Sequence, residues 1–334
     1  MKLSTVFLLG AVLLSAQPRN LEIYWIDCEG GAATLIVTRD GQSLLADSGN
    51  PGSGDRDAKR IFEVAKKAGL KKLDYLWTTH YHSDHVGGAP ALAKLIPIEH
   101  YLDHGDSVEM DDSRGAQLFN AYKAVADGKR RTLSVGEKLP LKDVEITAVS
   151  SDGKVINRSG AINPFCRDAV RKPDDTTENQ RSAGFLLTFG RFKFLDLGDL
   201  TWDKEMELAC PANRIGTVSL FQATHHGFYG DNSGAPAHVW AIKPQVVLVN
   251  NGPRKGLHSG AWDTIQKIAG LEDTWQVHLA LATDKAHNTT DERIANLEAT
   301  DLCQGHYLKA TVTPEGKFTI TNGRTGYSRT YTAR

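Results

Sequence analysis

The run Thr79-His80-Tyr81-His82-Ser83-Asp84-His85-Val86-Gly87-Gly88 holds four metal-ligand side chains within six residues: His80, His82, Asp84 and His85. Neutral imidazole suits zinc, and a carboxylate beside it accepts a metal or a proton. On an extended backbone His80 and His82 lie on one face. The turn that follows brings Asp84 and His85 to a second point, which makes a cradle for a two-metal hydrolytic centre. Surface histidines or a helix cap at Asp84 would need neither this spacing nor a strand-turn-helix setting. Three other strand ends carry candidate groups. Phe192 to Leu200 ends in Gly198-Asp199, where one carboxylate can span two cations; Asp196 is the weaker choice there. Val218 to Gly227 delivers His225 and His226, and Leu44 to Pro51 ends on Asp47 in a sequence that is also ordinary turn chemistry.

These groups must be positioned by buried strands. Leu73-Asp74-Tyr75-Leu76-Trp77-Thr78-Thr79 is rich in β-favouring residues and reads as a strand; the glycines after the cluster lead into a helix. The pattern predicts strands near 21–27, 33–39 and 43–47, a helix near 55–69, a strand Ile98 to Asp103 and a helix near 115–126. Strands near 131–135 and 144–149 follow. The second half repeats the theme: hairpin 183–197, helix 202–209, strand 217–224, helix 236–242, strand 245–250, helix 261–269 and strand 276–282. A helix near 290–298 and a hairpin, His306 to Thr313 and Lys317 to Asn322, close the chain. The irregular stretch from Ser150 to Gln180 reads as an insertion at the rim of the active site, since long loops usually carry function.

The run around His80 resembles the H-x-H-x-D-H signature of the metallo-β-lactamase superfamily. The order Gly198-Asp199 and then His225-His226-Gly227 is similar to the hydrolase domain of the ComEC competence-protein branch, as are Trp25 to Ile36 and Glu178 to Ser182. The resemblance covers residues 21–265 or so. It implies a four-layer αββα sandwich, here one domain over 17–334 with a C-terminal helix and hairpin, and metals at one sheet edge. It implies a Zn2+ centre of one or two ions, with Mn2+ possible. The metal residues would be His80, His82, Asp84, His85, Asp199 (bridging) and His226. Asp47 would support the metal loop, and Asp84 would also anchor the attacking water. His225 is left to bind the substrate oxyanion. His258 falls where the branch carries a late histidine and is either a proton donor to the leaving group or a loop residue. Three departures stand out. Phe228 replaces the usual Ser, Cys28 replaces a small or apolar residue, and no separate metal histidine lies between His104 and His225. Asn179 takes about that place, so the first site is held by His80, His82, Asp199 and a weak or water ligand.

The 334 residues are 24% charged and 40% hydrophobic, as ordinary soluble domains are. No Pro/Ser/Gly-rich linker divides them. Residues 1–16 combine Lys2, an apolar run from Val6 to Leu14 and a small-residue end, the pattern of a secretory signal peptide, which predicts a periplasmic or extracellular protein. No other apolar segment reaches spanning length. An exported chain permits disulfides; Cys166, Cys210 and Cys303 are the bridge candidates and Cys28 reads as a buried thiol. The net charge of −1 gives no basic field of the kind nucleic-acid proteins show, and Lys129-Arg130-Arg131 reads as a solvated strand edge. The ComEC-like resemblance implies a small phosphodiester or related ester as the substrate. A β-lactam is the runner-up substrate, and a non-catalytic metal-binding protein is the alternative of another class. Composition sets no oligomeric state.

Overall fold

The computed structural model describes residues 20–299 and 303–334. The expected signal segment, 1–16, lies outside the described residues. Two sheets stack face to face. The first has the strand order Ser328–Thr332, Lys317–Asn322, Leu308–Val312, Leu21–Trp25, Thr34–Val37, Ser43–Ala46, Leu73–Trp77, Ile98–Asp103 and Arg130–Thr132. The second runs Ile294–Asn296, Asp273–His278, Val246–Val249, Leu220–Gln222, Phe192–Asp196, Phe185–Phe189, Glu145–Ala148 and Lys138–Leu139.

Period-two alternation sorts the side chains. Leu21, Ile23 and Trp25 face the second sheet and join Trp77, Phe185, Phe194 and Trp275 in the central core. Tyr24, Leu35 and Leu45 face outward, against Ile61 and Val64 of the helix Arg56–Lys67, Leu92 of Ala89–Leu95 and Phe119 of Ser113–Val125. On the far side Phe221, Val247 and Val249 meet Leu208, Val239 and Ile265 of the helices Trp202–Ala209, Pro236–Ile242 and Ser259–Gln266. The result is the helix-sheet-sheet-helix sandwich.

Parallel pairing decides where the chemistry sits. Ser43–Ala46, Leu73–Trp77 and Ile98–Asp103 run parallel, and so do Phe192–Asp196, Leu220–Gln222 and Val246–Val249. Their carboxyl ends meet at one edge of the sandwich, where loops converge. Buried polar ties lock the sheets near that edge. Trp77 Nε1 donates to the Ala183 carbonyl (2.7 Å), while Trp25 Nε1 and Thr34 Oγ1 both donate to Gln222 Oε1 (2.8 and 2.9 Å).

Three expectations need correction. The helix expected near 290–298 is a 3-10 turn, Asp291–Arg293, followed by the strand Ile294–Asn296, which pairs parallel with Asp273–His278. Ile294 and Ala295 are fully buried there, and tertiary pairing outweighs local helix preference. The C-terminal hairpin gains a third strand, Ser328–Thr332, in which Tyr331 alone is buried, so it carries little hydrophobic pattern. The stretch from Ser150 to Gln180 is not all at the active-site rim. Ala161–Ile162 pairs with Ala212–Asn213 at the end where the parallel strands of the second sheet begin; the 3-10 turn Glu178–Arg181 then returns to the metal loop. The expected bridge forms between Cys166 and Cys210; Cys303 stays unbonded, and Cys28 is the buried thiol the sequence suggests. Among the described residues no helix is long and apolar enough to cross a membrane.

Candidate metal centre

The metal loop follows Leu73–Trp77 directly. His80 lies in the loop after the strand, His82 is extended at the start of the short helix Ser83–Val86, and Asp84 and His85 sit on that helix. The loop is pinned from the neighbouring strand end: the amide of Ser48 and its Oγ both donate to the His85 carbonyl (2.7 and 3.0 Å). Gly88 is required at this crossing, because a Cβ there would lie 2.0 Å from the Ser48 carbonyl oxygen. Gly198 serves the opposite loop, with φ +57° and a would-be Cβ 2.8 Å from Thr79. The histidine pair sits on strained backbone. His225, His226, Gly227 and Phe228 all have positive φ, a costly run that is found mainly where function requires it.

Seven side chains gather here. Asp84, His85, Asp199 and His226 each offer one ligand atom within 4.8 Å of the others. Asp199 Oδ2 is central. It lies 3.2 Å from His85 Nε2, 3.3 Å from His225 Nε2, 3.6 Å from His226 Nε2 and 3.9 Å from His80 Nε2. His80 Nε2 is 3.1 Å from His82 Nδ1, which makes a second, neighbouring pair of donors. These residues fit metal ions. His85 Nε2 and His226 Nε2 are 3.1 Å apart, so both cannot turn lone pairs on each other unless a proton or a cation lies between them. His226 Nε2 is also 3.0 Å from Asp84 Oδ2, so His226 sits inside the ligand cluster while His225 flanks it through Asp199.

The ring orientations are set from behind. Asp47, itself at φ +61°, reaches His85 Nδ1 at 2.6 Å and accepts from the Thr79 amide (2.8 Å) and Thr79 Oγ1 (2.9 Å). Glu109 Oε1 does the same for His82 Nε2 at 3.3 Å. A carboxylate on the far nitrogen fixes the tautomer that leaves the near nitrogen free for metal. Asn179 contacts the loop through its neighbour Glu178, whose Oε2 accepts from the Tyr81 amide (3.2 Å) and meets His104 Nε2 (2.9 Å). Asn179 Oδ1 is buried without a hydrogen-bond partner, as an oxygen kept for a cation or water would be.

Carboxylates and imidazoles are packed closely here, and each shifts the others. Burial works against a charged His85, yet Asp199, Asp47 and Asp84 outweigh it and hold its pKa well above the usual range. Burial also opposes ionised Asp199 and Asp84, but the surrounding imidazoles, and Lys255 at Asp84, hold both well below the carboxylate range. Burial, then His85, push His80 down, and burial brings His225 to about 4. Asp47 is raised by its burial.

Asp196 stands apart: its Oδ1 accepts from the Gly198 amide and burial pushes it up to about 7, so it shapes the Asp199 loop. His258 caps the helix Ser259–Gln266, with Nδ1 accepting from the Ala261 amide (3.3 Å) and Nε2 at 3.2 Å from the Phe228 carbonyl. It ties down the strained histidine loop. Sequence reasoning missed Glu109 and Lys255. The ammonium of Lys255 donates to Asp84 Oδ2 and lies 5.6 Å from the centroid of the Tyr229 ring. Its signal was topological. The loop after Val246–Val249 had to end at the same edge as the histidines, because the two strands are parallel neighbours. A second cluster, Asp27, His278 and Cys303, also has metal-ligand types within 4.8 Å. There the Arg60 guanidinium already supplies the cation, 2.9 Å from Asp27 Oδ2.

Residues 26–161 match the model of the metallo-beta-lactamase superfamily. A metal-dependent hydrolase of Cupriavidus metallidurans is 35% identical over 89 residues, 25% of this chain and 27% of that protein. An atrochrysone carboxyl ACP thioesterase of Emericella nidulans is 30% identical over 81 residues, 24% of this chain and 25% of that protein. The matches thus span about a quarter of the curated relatives' lengths. Among solved structures, the metallo-beta-lactamase fold protein YhfI of Bacillus subtilis is similar with a TM-score of 0.46 at 16% identity, over 76% of this chain and 95% of its own. A putative metal-dependent hydrolase of Parabacteroides distasonis has a TM-score of 0.43 at 16% identity, over 77% of this chain and 92% of its own.

Proposed function

We propose that this chain, a metallohydrolase of the metallo-β-lactamase superfamily, is an exported enzyme that uses one or two zinc-type ions to hydrolyse a phosphodiester or related ester. The observation that carries the reading is Asp199 Oδ2, a single carboxylate oxygen within 3.9 Å of four imidazole Nε2 atoms. Ions held there lower the pKa of water to about 7 and polarise an ester oxygen.

The chain's own groups do the rest. His80 and His82 hold one side of the centre; Asp84, His85 and His226 hold the other, and Asp199 joins them. Asp84 also orients the attacking water, since its carboxylate borders the cluster at 15% side-chain exposure. His225 is uncharged at neutral pH and stands beside Asp199, where a ring N–H can donate to a non-bridging oxygen of the substrate. A phosphoryl transition state carries more such oxygens than an acyl one, which favours phosphodiesters; the ComEC-like order of Gly-Asp and His-His-Gly points the same way. Lys255 borders Asp84 at 28% exposure and is placed to pair with the substrate's anionic charge when ions occupy the centre. Export is supported by the N-terminal sequence and by the Cys166–Cys210 bridge, since disulfides belong to oxidising compartments.

The test compares kcat/KM for an activated aryl phosphodiester and a chromogenic cephalosporin on zinc- and manganese-loaded protein. The phosphodiester is expected to be the better substrate. A cephalosporin preferred by about tenfold, some 1.4 kcal/mol of transition-state binding, would replace the phosphodiester reading with lactam hydrolysis.

A further inference from the structure

We propose a second binding site, at the end of the molecule opposite the metal residues, for a small organic anion with at least two negative charges and an apolar body. The strands Phe192–Asp196 and Leu220–Gln222 begin at this end, and the helix Pro236–Ile242 finishes there. Between them lies a cavity of about 560 Å³, within the size range of small-molecule sites.

Its charge is one-sided. Arg158, Lys193, Arg214 and Lys243 line it, and no aspartate or glutamate does. Among the described residues none of the four is ion-paired. The guanidinium of Arg158 donates instead to the main-chain carbonyls of Arg214 and Ile215, and Arg214 Nη1 to the Ile156 carbonyl at 3.4 Å. Carbonyl partners fix the Arg158 and Arg214 side chains without neutralising them, and the one carboxylate that acts on Arg158, Glu145, makes no ion pair with it. Four such charges around a concavity focus a positive potential into it. The apolar part of the wall comes from Phe165 and Ile215, with Ile162 at the mouth, 78% exposed.

The walls are built rigid. Asn163 Nδ2 donates to the carbonyls of Ala209 (3.0 Å) and Ala237 (2.9 Å). Asn213 Nδ2 donates to those of Gly216 (3.2 Å) and Ala241 (2.9 Å). The Cys166–Cys210 bridge ties the Phe165 turn to the end of the helix Trp202–Ala209. A preformed pocket loses little ordering entropy when it binds. The cations are gathered into one cavity and do not follow a groove, so a small molecule fits and a nucleic-acid strand does not.

The probe is benzene-1,3-disulfonate, which keeps both charges at neutral pH and has no hydrolysable bond. It is titrated calorimetrically into metal-loaded protein at low ionic strength. One probe per chain is expected to bind saturably below about 1 mM, with inorganic sulfate about tenfold or more weaker. The pair Lys193→Gln and Lys243→Gln is expected to weaken binding by about tenfold or more, with metal content and circular dichroism unchanged. Lys243→Gln alone should give a smaller loss in the same direction. Asp84→Ala, at the metal centre, should leave probe binding as in wild type. No saturable binding up to about 10 mM, equal affinity for sulfate, or binding lost in Asp84→Ala and kept in the lysine variants would each overturn the proposal.

Discussion

Asp47→Asn should weaken metal binding far more than it weakens the fold. The Asp47 carboxylate makes three contacts, to His85 Nδ1 (2.6 Å), the Thr79 amide (2.8 Å) and Thr79 Oγ1 (2.9 Å). Asparagine keeps the shape and one oxygen, which still accepts from the Thr79 amide. Its other arm becomes an NH2 group facing His85 Nδ1. An NH2 donates, so Nδ1 must accept, and the imidazole proton moves to Nε2. That is the atom 3.2 Å from Asp199 and 3.1 Å from His226, where a cation has to sit. Reversing the tautomer or losing the carboxylate behind a metal histidine costs about 10–100-fold in affinity, or about 1.4–2.7 kcal/mol. The fold loses one charge-assisted hydrogen bond, about 1–2 kcal/mol, and the buried Thr79 amide stays satisfied. The assay is competition for zinc against a chelator of known affinity, with urea unfolding run in parallel. Wild-type zinc affinity in a folded Asp47→Asn protein would refute the orientation argument.

Three further outcomes follow from other parts of the molecule. Removing the Cys166–Cys210 bridge, which joins positions 44 residues apart, should lower unfolding free energy by about 2–4 kcal/mol, read as a shift of the urea midpoint in the Cys166→Ser, Cys210→Ser protein. Burial opposes a charged His278, but Asp27 and Cys303 outweigh it and push it up to about 9. Its contribution to stability is therefore complete below the unfolded value of about 6.5 and is lost as pH rises through about 9. Asp27→Asn should flatten stability against pH over that window, and an unchanged slope would count against the pair. Lys255→Gln should lower kcat/KM about tenfold on an anionic ester, mainly through KM, with metal content unchanged; a loss of metal instead would make it a structural residue.

Much of the centre was legible because its logic is local. His80, His82, Asp84 and His85 are contiguous, and Asp199 and His226 each follow a strand whose apolar run is plain. The pairing of His226 with Asp84 and of His225 with Asp199 alone is not local. It depends on four successive positive-φ residues that no pattern announces. Glu109 and Lys255 were illegible for a related reason. Both reach the centre across sequence separations, 27 residues to His82 and 171 to Asp84, that only the parallel topology closes. The fold shows the same division. The helix Arg56–Lys67 and the buried strands were visible as periodicity. Ile294–Asn296 becomes a strand because its neighbour Asp273–His278 presents an edge, and that is decided by tertiary context.

The most direct test of the metal-dependent account titrates zinc, and separately manganese, into chelator-stripped protein while bound metal and phosphodiester turnover are measured together. Turnover should appear with bound metal and level off by the second ion per chain. Asp199→Ala, which removes the group within reach of four imidazoles, should lose most of the metal and the activity with it. A stripped protein that hydrolyses the ester at the loaded rate, or a reconstituted wild type that holds no metal, would contradict it.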